Sequence, residues 1–129
     1  MRRTAAAVLP LLTAPALLTG CGAGGAAPVP DGPPVDELRI GMQEYRYQLS
    51  AGTLLPGAVD VVVTNAGSST HDVVLVQGGT TLWASDLLGP GERQTIEVEV
   101  APGEPVLLEC TVGGHSAAGM HTTLDVADG

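Results

Sequence analysis

Apolar and polar residues alternate along several short stretches of this chain. In Q-T-I-E-V-E-V, residues 94–100, Ile96, Val98 and Val100 fall on one face and Glu97 and Glu99 on the other. A period of two sends successive side chains to opposite faces, so this stretch predicts a half-buried β-strand. Similar runs occupy residues 37–42, 44–49, 59–64, 71–76, 105–110 and 122–126. Turn-forming residues punctuate them: Leu55-Pro56-Gly57-Ala58, the polar loop from Asn65 to Thr70, and Pro102-Gly103. Residues 78–92 show no clear period and read as irregular, with Trp83 anchoring them to the core. No segment carries a helical period of 3.6. Seven to eight short strands joined by Gly- and Pro-rich turns predict an all-β domain, an antiparallel β-sandwich or barrel.

Composition agrees with that prediction. Apolar residues make up 44% of the 129 residues, yet aromatics only 2%, and phenylalanine is absent. The core must therefore be built from Val, Leu and Ala. With 18 Gly and 10 Pro, the chain has ample turn chemistry. Its length suits one domain.

The N-terminus follows a different logic. Arg2 and Arg3 precede an apolar run broken by Pro10 and Pro15, too short to span a bilayer. The run ends in Leu18-Thr19-Gly20-Cys21. Small residues before a cysteine resemble the signal of bacterial lipoproteins. That resemblance implies that residues 1–20 are removed and that Cys21 carries a lipid. The paired arginines also hint at twin-Arg export. Residues 22–34, G-A-G-G-A-A-P-V-P-D-G-P-P, read as a tether reaching about 40 Å when extended. The globular domain then covers residues 35–129. The expected location is outside the cell membrane, on its outer face, with the lipid as the only membrane contact.

Removing residues 1–20 leaves Arg39, Arg46 and Arg93 against all 14 acids, a formal charge of 3 − 14 = −11, with no lysine. Such a surface repels nucleic acid and anionic lipid. If Cys21 is lipidated, Cys110 is the sole remaining thiol, and an internal disulfide is excluded. A free thiol in an oxidising compartment calls for something to hold it, and a metal ion does so.

The metal argument rests on E-C-T-V-G-G-H-S-A-A-G-M-H, residues 109–121. Cys110, His115 and Met120 follow one another at intervals of five, and His71 stands at the start of an upstream strand. Taken singly, His71 reads as a cap or surface residue, Met120 as core and Cys110 as a small buried hydrophobe. Their joint spacing points elsewhere. Two imidazoles, one thiolate and a weak thioether suit copper that moves between Cu(I) and Cu(II). Gly113, Gly114 and Gly119 give the loop the freedom to curl round one ion.

These residues resemble the cupredoxins, the type 1 or blue copper proteins of the plastocyanin and azurin kind. The loop C-T-V-G-G-H-S-A-A-G-M is similar to their C-T-V-P-G-H-x-x-x-G-M. Residues 65–72, N-A-G-S-S-T-H-D, are similar to their N-x-G-x-x-x-H-[ND]. The resemblance implies a Greek-key fold and one type 1 copper ion held by His71, Cys110 and His115, with Met120 axial. It makes Asp72 and Asn65 outer hydrogen-bonding residues. Gly113 departs from the common proline, and Leu108 from a common aromatic. His121 fits no ligand position, and Tyr45 and Tyr47 read as packing residues on one strand face.

The resemblance further implies an electron carrier, monomeric and not an enzyme, that meets redox protein partners through the edge of His115. Gly113, Gly114, Ser116, Ala117 and Ala118 form the small, uncharged docking patch around it. The alternatives are a copper carrier delivering its ion to another extracytoplasmic protein, and a metal-free interaction domain. Oxidase chemistry needs more histidines than His71, His115 and His121. A binuclear copper centre needs a second loop cysteine, and a zinc site rarely takes methionine.

Overall fold

A computed structural model describes residues 25–129. The expected signal, residues 1–20, and Cys21 lie outside the described residues. No α-helix forms within them. Nine strands do: β1 Glu37–Gln43, β2 Arg46–Leu49, β3 Thr53–Leu54, β4 Gly57–Asn65, β5 Val74–Gln77, β6 Thr80–Ala84, β7 Arg93–Val100, β8 Val106–Glu109 and β9 His121–Val126. They make two sheets, ordered β2-β1-β4-β7 and β3-β9-β8-β5-β6.

The alternation seen in the sequence becomes the inner faces of this sandwich. Leu38, Ile40 and Met42 of β1 and Val59, Val61 and Val63 of β4 are buried, as are Val98 and Val100 of β7. Leu75, Val106, Leu108 and Leu124 oppose them from the other sheet. Each such side chain contributes about 1.5–3 kcal/mol when fully buried. A Val- and Leu-rich core suffices because a sandwich interior is only about 10 Å thick.

The sheets depart from the sequence expectations in several respects. The strand count is nine, because residues 78–92 contain β6 and Thr53–Leu54 forms the short β3. Gly78 and Gly79, at φ 56° and 76°, turn the chain tightly from β5 into β6. β6 is an edge strand with half-buried and exposed positions, so its pattern carries no strong alternation. Trp83 within it does pack on the core. Second, pairing is not wholly antiparallel: β1 runs parallel to β4, and β3 parallel to β9. The β2–β3 segment lies between β1 and β4, and β3 joins the other sheet; this excursion lets β1 and β4 lie side by side in the same direction.

Third, Tyr45 and Tyr47 do not share a strand face. Tyr47 is buried on β2, whereas Tyr45 sits in the β1–β2 turn at φ 62° and is half exposed. Fourth, the segment read as a tether touches the domain. Ala27 is buried, its N–H donates to His121 O at 2.9 Å, and its carbonyl accepts from Thr122 Oγ1 at 2.8 Å. Those bonds fix the chain against β9, so packing begins ahead of residue 35.

Candidate metal centre

The strands place their soft donors at one end of the sandwich. β4 ends at Asn65, whose side chain organises the next turn. Its amide donates to Ser69 O and Leu88 O at 2.7 Å each, and its Oδ1 accepts from Gly67 N at 2.9 Å. The loop so held delivers His71, which exchanges backbone hydrogen bonds with Leu88 at 2.8 and 3.1 Å. The strand expected from residue 71 begins only at Val74. His71 therefore projects from a bridge ahead of the ladder.

Asp72 ties this loop to the second one. Its Oδ1 accepts from Thr111 N at 2.7 Å, and its other oxygen from the Thr111 hydroxyl. Its backbone carbonyl accepts from Tyr47 Oη at 2.9 Å. Burial pushes the Tyr47 hydroxyl far above its ordinary pKa, reinforced by the charges of Cys110, Asp72 and Glu109.

The second loop leaves β8 at Glu109 and returns as β9. It closes on itself: Cys110 N donates to Met120 O at 3.1 Å, and Met120 N to His115 O at 3.0 Å. Gly114, at φ 81°, permits a bend that a side chain would strain. His121 turns away and donates from Nδ1 to Ser116 O at 2.9 Å. Cys110, expected as the last residue of a strand over 105–110, instead sits immediately after β8.

The two loops meet at their donors. His71 Nδ1 and His115 Nδ1 lie 3.2 Å apart, and Cys110 Sγ lies 3.8 Å from His115 Nδ1. The donor atoms of His71, Cys110 and His115 all fall within 4.8 Å of one another. Met120 is fully buried in the same core cluster as Cys110. His71 and Cys110 are buried as well, so only His115 of the four approaches solvent. Around it Gly113, Gly114, Ala117 and Ala118 are exposed and Ser116 is half-buried.

This arrangement fits a metal ion. Two nitrogens bound at about 2 Å to a shared ion stand a little over 3 Å apart when the angle between them is near trigonal or tetrahedral. Burial pushes the Cys110 thiol pKa up, partly opposed by hydrogen bonds to the Asp72 and Val112 backbone. An ion must therefore displace that proton to gain the thiolate.

Two site residues escaped sequence reasoning. Both lie in the β1–β2 turn. The Tyr45 ring meets His115 edge-on, with centroids 5.2 Å apart and planes at 88°. Glu44 Oε1 accepts from Ser68 N, Ser69 N and Ser68 Oγ at 2.5, 2.9 and 3.1 Å. The Ser68 N–H leads in lowering the Glu44 carboxyl from 4.5 to about 2, followed by its own N–H and that of Ser69. Neither residue carries a motif. Their contacts follow from how the turn folds over the loops.

No protein-family profile and no curated protein sequence matches the chain. Its structure, however, resembles solved auracyanins. The dithionite-reduced auracyanin of Roseiflexus castenholzii is 21% identical over 74% of this chain and 99% of that one, with a TM-score of 0.64. Auracyanin B is 22% identical over 81% and 98%, with a TM-score of 0.60. Auracyanin A of Chloroflexus aurantiacus, described as a blue copper protein, is 20% identical over 73% and 99%, with a TM-score of 0.57. The chain folds as a cupredoxin-like β-sandwich.

Proposed function

We propose that this protein holds one copper ion through His71, Cys110 and His115, with Met120 as a weak fourth ligand, and carries single electrons between redox proteins outside the cell membrane. Its main support is the convergence of one ring nitrogen each from His71 and His115 with the Cys110 Sγ within 4.8 Å. Copper in such a donor set exchanges one electron with little rearrangement of its ligands. The description of one structural neighbour as a blue copper protein supports the choice of metal.

The protein's own groups do the rest. His71, Cys110 and Met120 are shielded from water, so the ion is kept from exchange and from substrate. This burial favours electron transfer over surrender of copper to an acceptor. Four donors leave no position for substrate, which favours a carrier over an enzyme. The half-exposed His115, within the small-residue patch, is the path for the electron. In this proposal a lipid on Cys21 tethers the monomeric protein to the outer face of the membrane.

The test is a visible spectrum of the purified, copper-loaded chain beside Cys110→Ser. A strong thiolate-to-copper band that reduction bleaches, reoxidation restores and the substitution abolishes is expected. A parent without that band sinks the copper proposal. A blue parent that readily passes its copper to an apo-protein makes it a delivery protein instead.

A further inference from the structure

One polar atom of the centre lacks a partner. His71 Nε2 is the only buried side-chain nitrogen or oxygen without a hydrogen bond among the described residues. Its ring partner, Nδ1, faces His115. When Nδ1 serves as a ligand, the single imidazole proton resides on Nε2, which must then donate. A buried donor without an acceptor is costly, so something should receive this proton.

The group it faces is Glu44, whose Oε1 stands 3.6 Å away. That carboxylate is already fixed in place by the amides of Ser68 and Ser69. Closing the gap to hydrogen-bond length takes a shift of less than about 1 Å. Gly67 supplies a second, independent observation. A Cβ at this position would lie 2.6 Å from Glu44 Oε1 and 3.1 Å from His71 Nε2. Its missing side chain is what leaves the approach open.

We propose that Glu44 is the outer partner of His71, accepting a hydrogen bond from Nε2–H when Nδ1 binds copper and lowering the reduction potential of the centre by its negative charge. The inference rests on the copper proposal above. Glu44 acts as a positioning residue: it fixes the tautomer and the ring plane, and makes the imidazole a stronger donor. A nearby negative charge favours Cu(II) over Cu(I), which carries one positive charge fewer. The β1–β2 turn thereby becomes part of the metal centre.

The experiment compares the copper-loaded full chain with Glu44→Gln and Gly67→Ala. Glutamine keeps a carbonyl oxygen for Ser68 and Ser69 but removes the charge, and alanine wedges the pair apart. At the solution potential that half-reduces the parent, the Cu(I):Cu(II) ratio should rise about tenfold in Glu44→Gln, equivalent to about 59 mV for one electron. Gly67→Ala should shift it in the same direction. In the diamagnetic Cu(I) form, the His71 Nε2 proton should exchange slowly with water in the parent and faster in both variants, as read by NMR. A blue parent whose variants match it in ratio and in proton exchange overturns the role of Glu44 alone, even if they melt at lower temperature. A parent with no thiolate-to-copper band overturns the copper proposal and this inference together.

Discussion

His71 and His115 turn their Nδ1 atoms toward each other at 3.2 Å although 44 positions separate them. The sandwich thus sets two donor atoms side by side. His115 belongs to a loop that closes on itself through the Cys110, His115 and Met120 backbone. His71 arrives from elsewhere, so its place beside His115 depends on the fold. Replacing His71 with alanine should leave the β-sheet circular dichroism intact. It should lower copper affinity by more than the roughly 10–100-fold typical of losing an outer partner. Copper titration of the purified variant measures this, and unchanged affinity would remove His71 from the site.

Asp72 binds both the amide and the hydroxyl of Thr111, beside Cys110. Asp72→Ala removes these charge-assisted bonds and should cost about 1–2 kcal/mol in denaturant unfolding, while quickening copper loss to a chelator. Asp72→Asn keeps an acceptor for the amide and should retain most of both. Equal behaviour of the two variants would show that Asp72 does not organise the loop.

Tyr47 sets an alkaline limit. Burial holds its hydroxyl protonated in the folded state, above the ordinary tyrosine value of 10.0. Its contribution is therefore complete below about pH 10 and declines as pH rises, because only the unfolded chain releases the proton there. The slope from this one group should approach about 1.4 kcal/mol per pH unit. Tyr47→Phe loses the hydrogen bond to Asp72 O and about 1 kcal/mol at neutral pH, and should flatten the alkaline decline. Parallel pH profiles for parent and variant would contradict this.

Gly113 and Gly114 should respond oppositely to substitution. Gly113 lies outside the left-handed region, and a Cβ there meets nothing within 4 Å. Its N–H donates none of the loop's hydrogen bonds among the described residues. Gly113→Pro should stiffen the loop and stabilise the protein by about 0.4–1 kcal/mol. Gly114, at φ 81°, resists any side chain, and Gly114→Ala should cost about 1–2 kcal/mol. Thermal melts of the copper-free proteins separate the two.

Ala117 is exposed beside His115. Ala117→Glu places a charge on the small-residue patch and should slow electron exchange about tenfold at low salt, with copper content unchanged. Unaltered rates with every competent redox partner would move the docking surface elsewhere.

Much of this was legible in the chain. The alternation through Ile96, Val98 and Val100 defined an inner face because a pleated strand imposes its period locally. The spacing of Cys110, His115 and Met120 is equally local, since one loop of fixed length joins β8 to β9. β6 was not legible, because an edge strand exposed on several sides leaves little periodic trace. Neither were the parallel β1–β4 pairing and the docking of Ala27.

The candidate donors, the three of them that share a loop and the apolar strand faces are all written in the order of residues along the chain. Long-range packing brings His71 Nδ1 to His115 Nδ1, and folds one turn so that Glu44 faces His71 and Tyr45 lies against His115. These contacts join β1–β2 to loops well downstream. They depend on sheet register and turn conformation, and a slip of one residue would send every side chain to the other face.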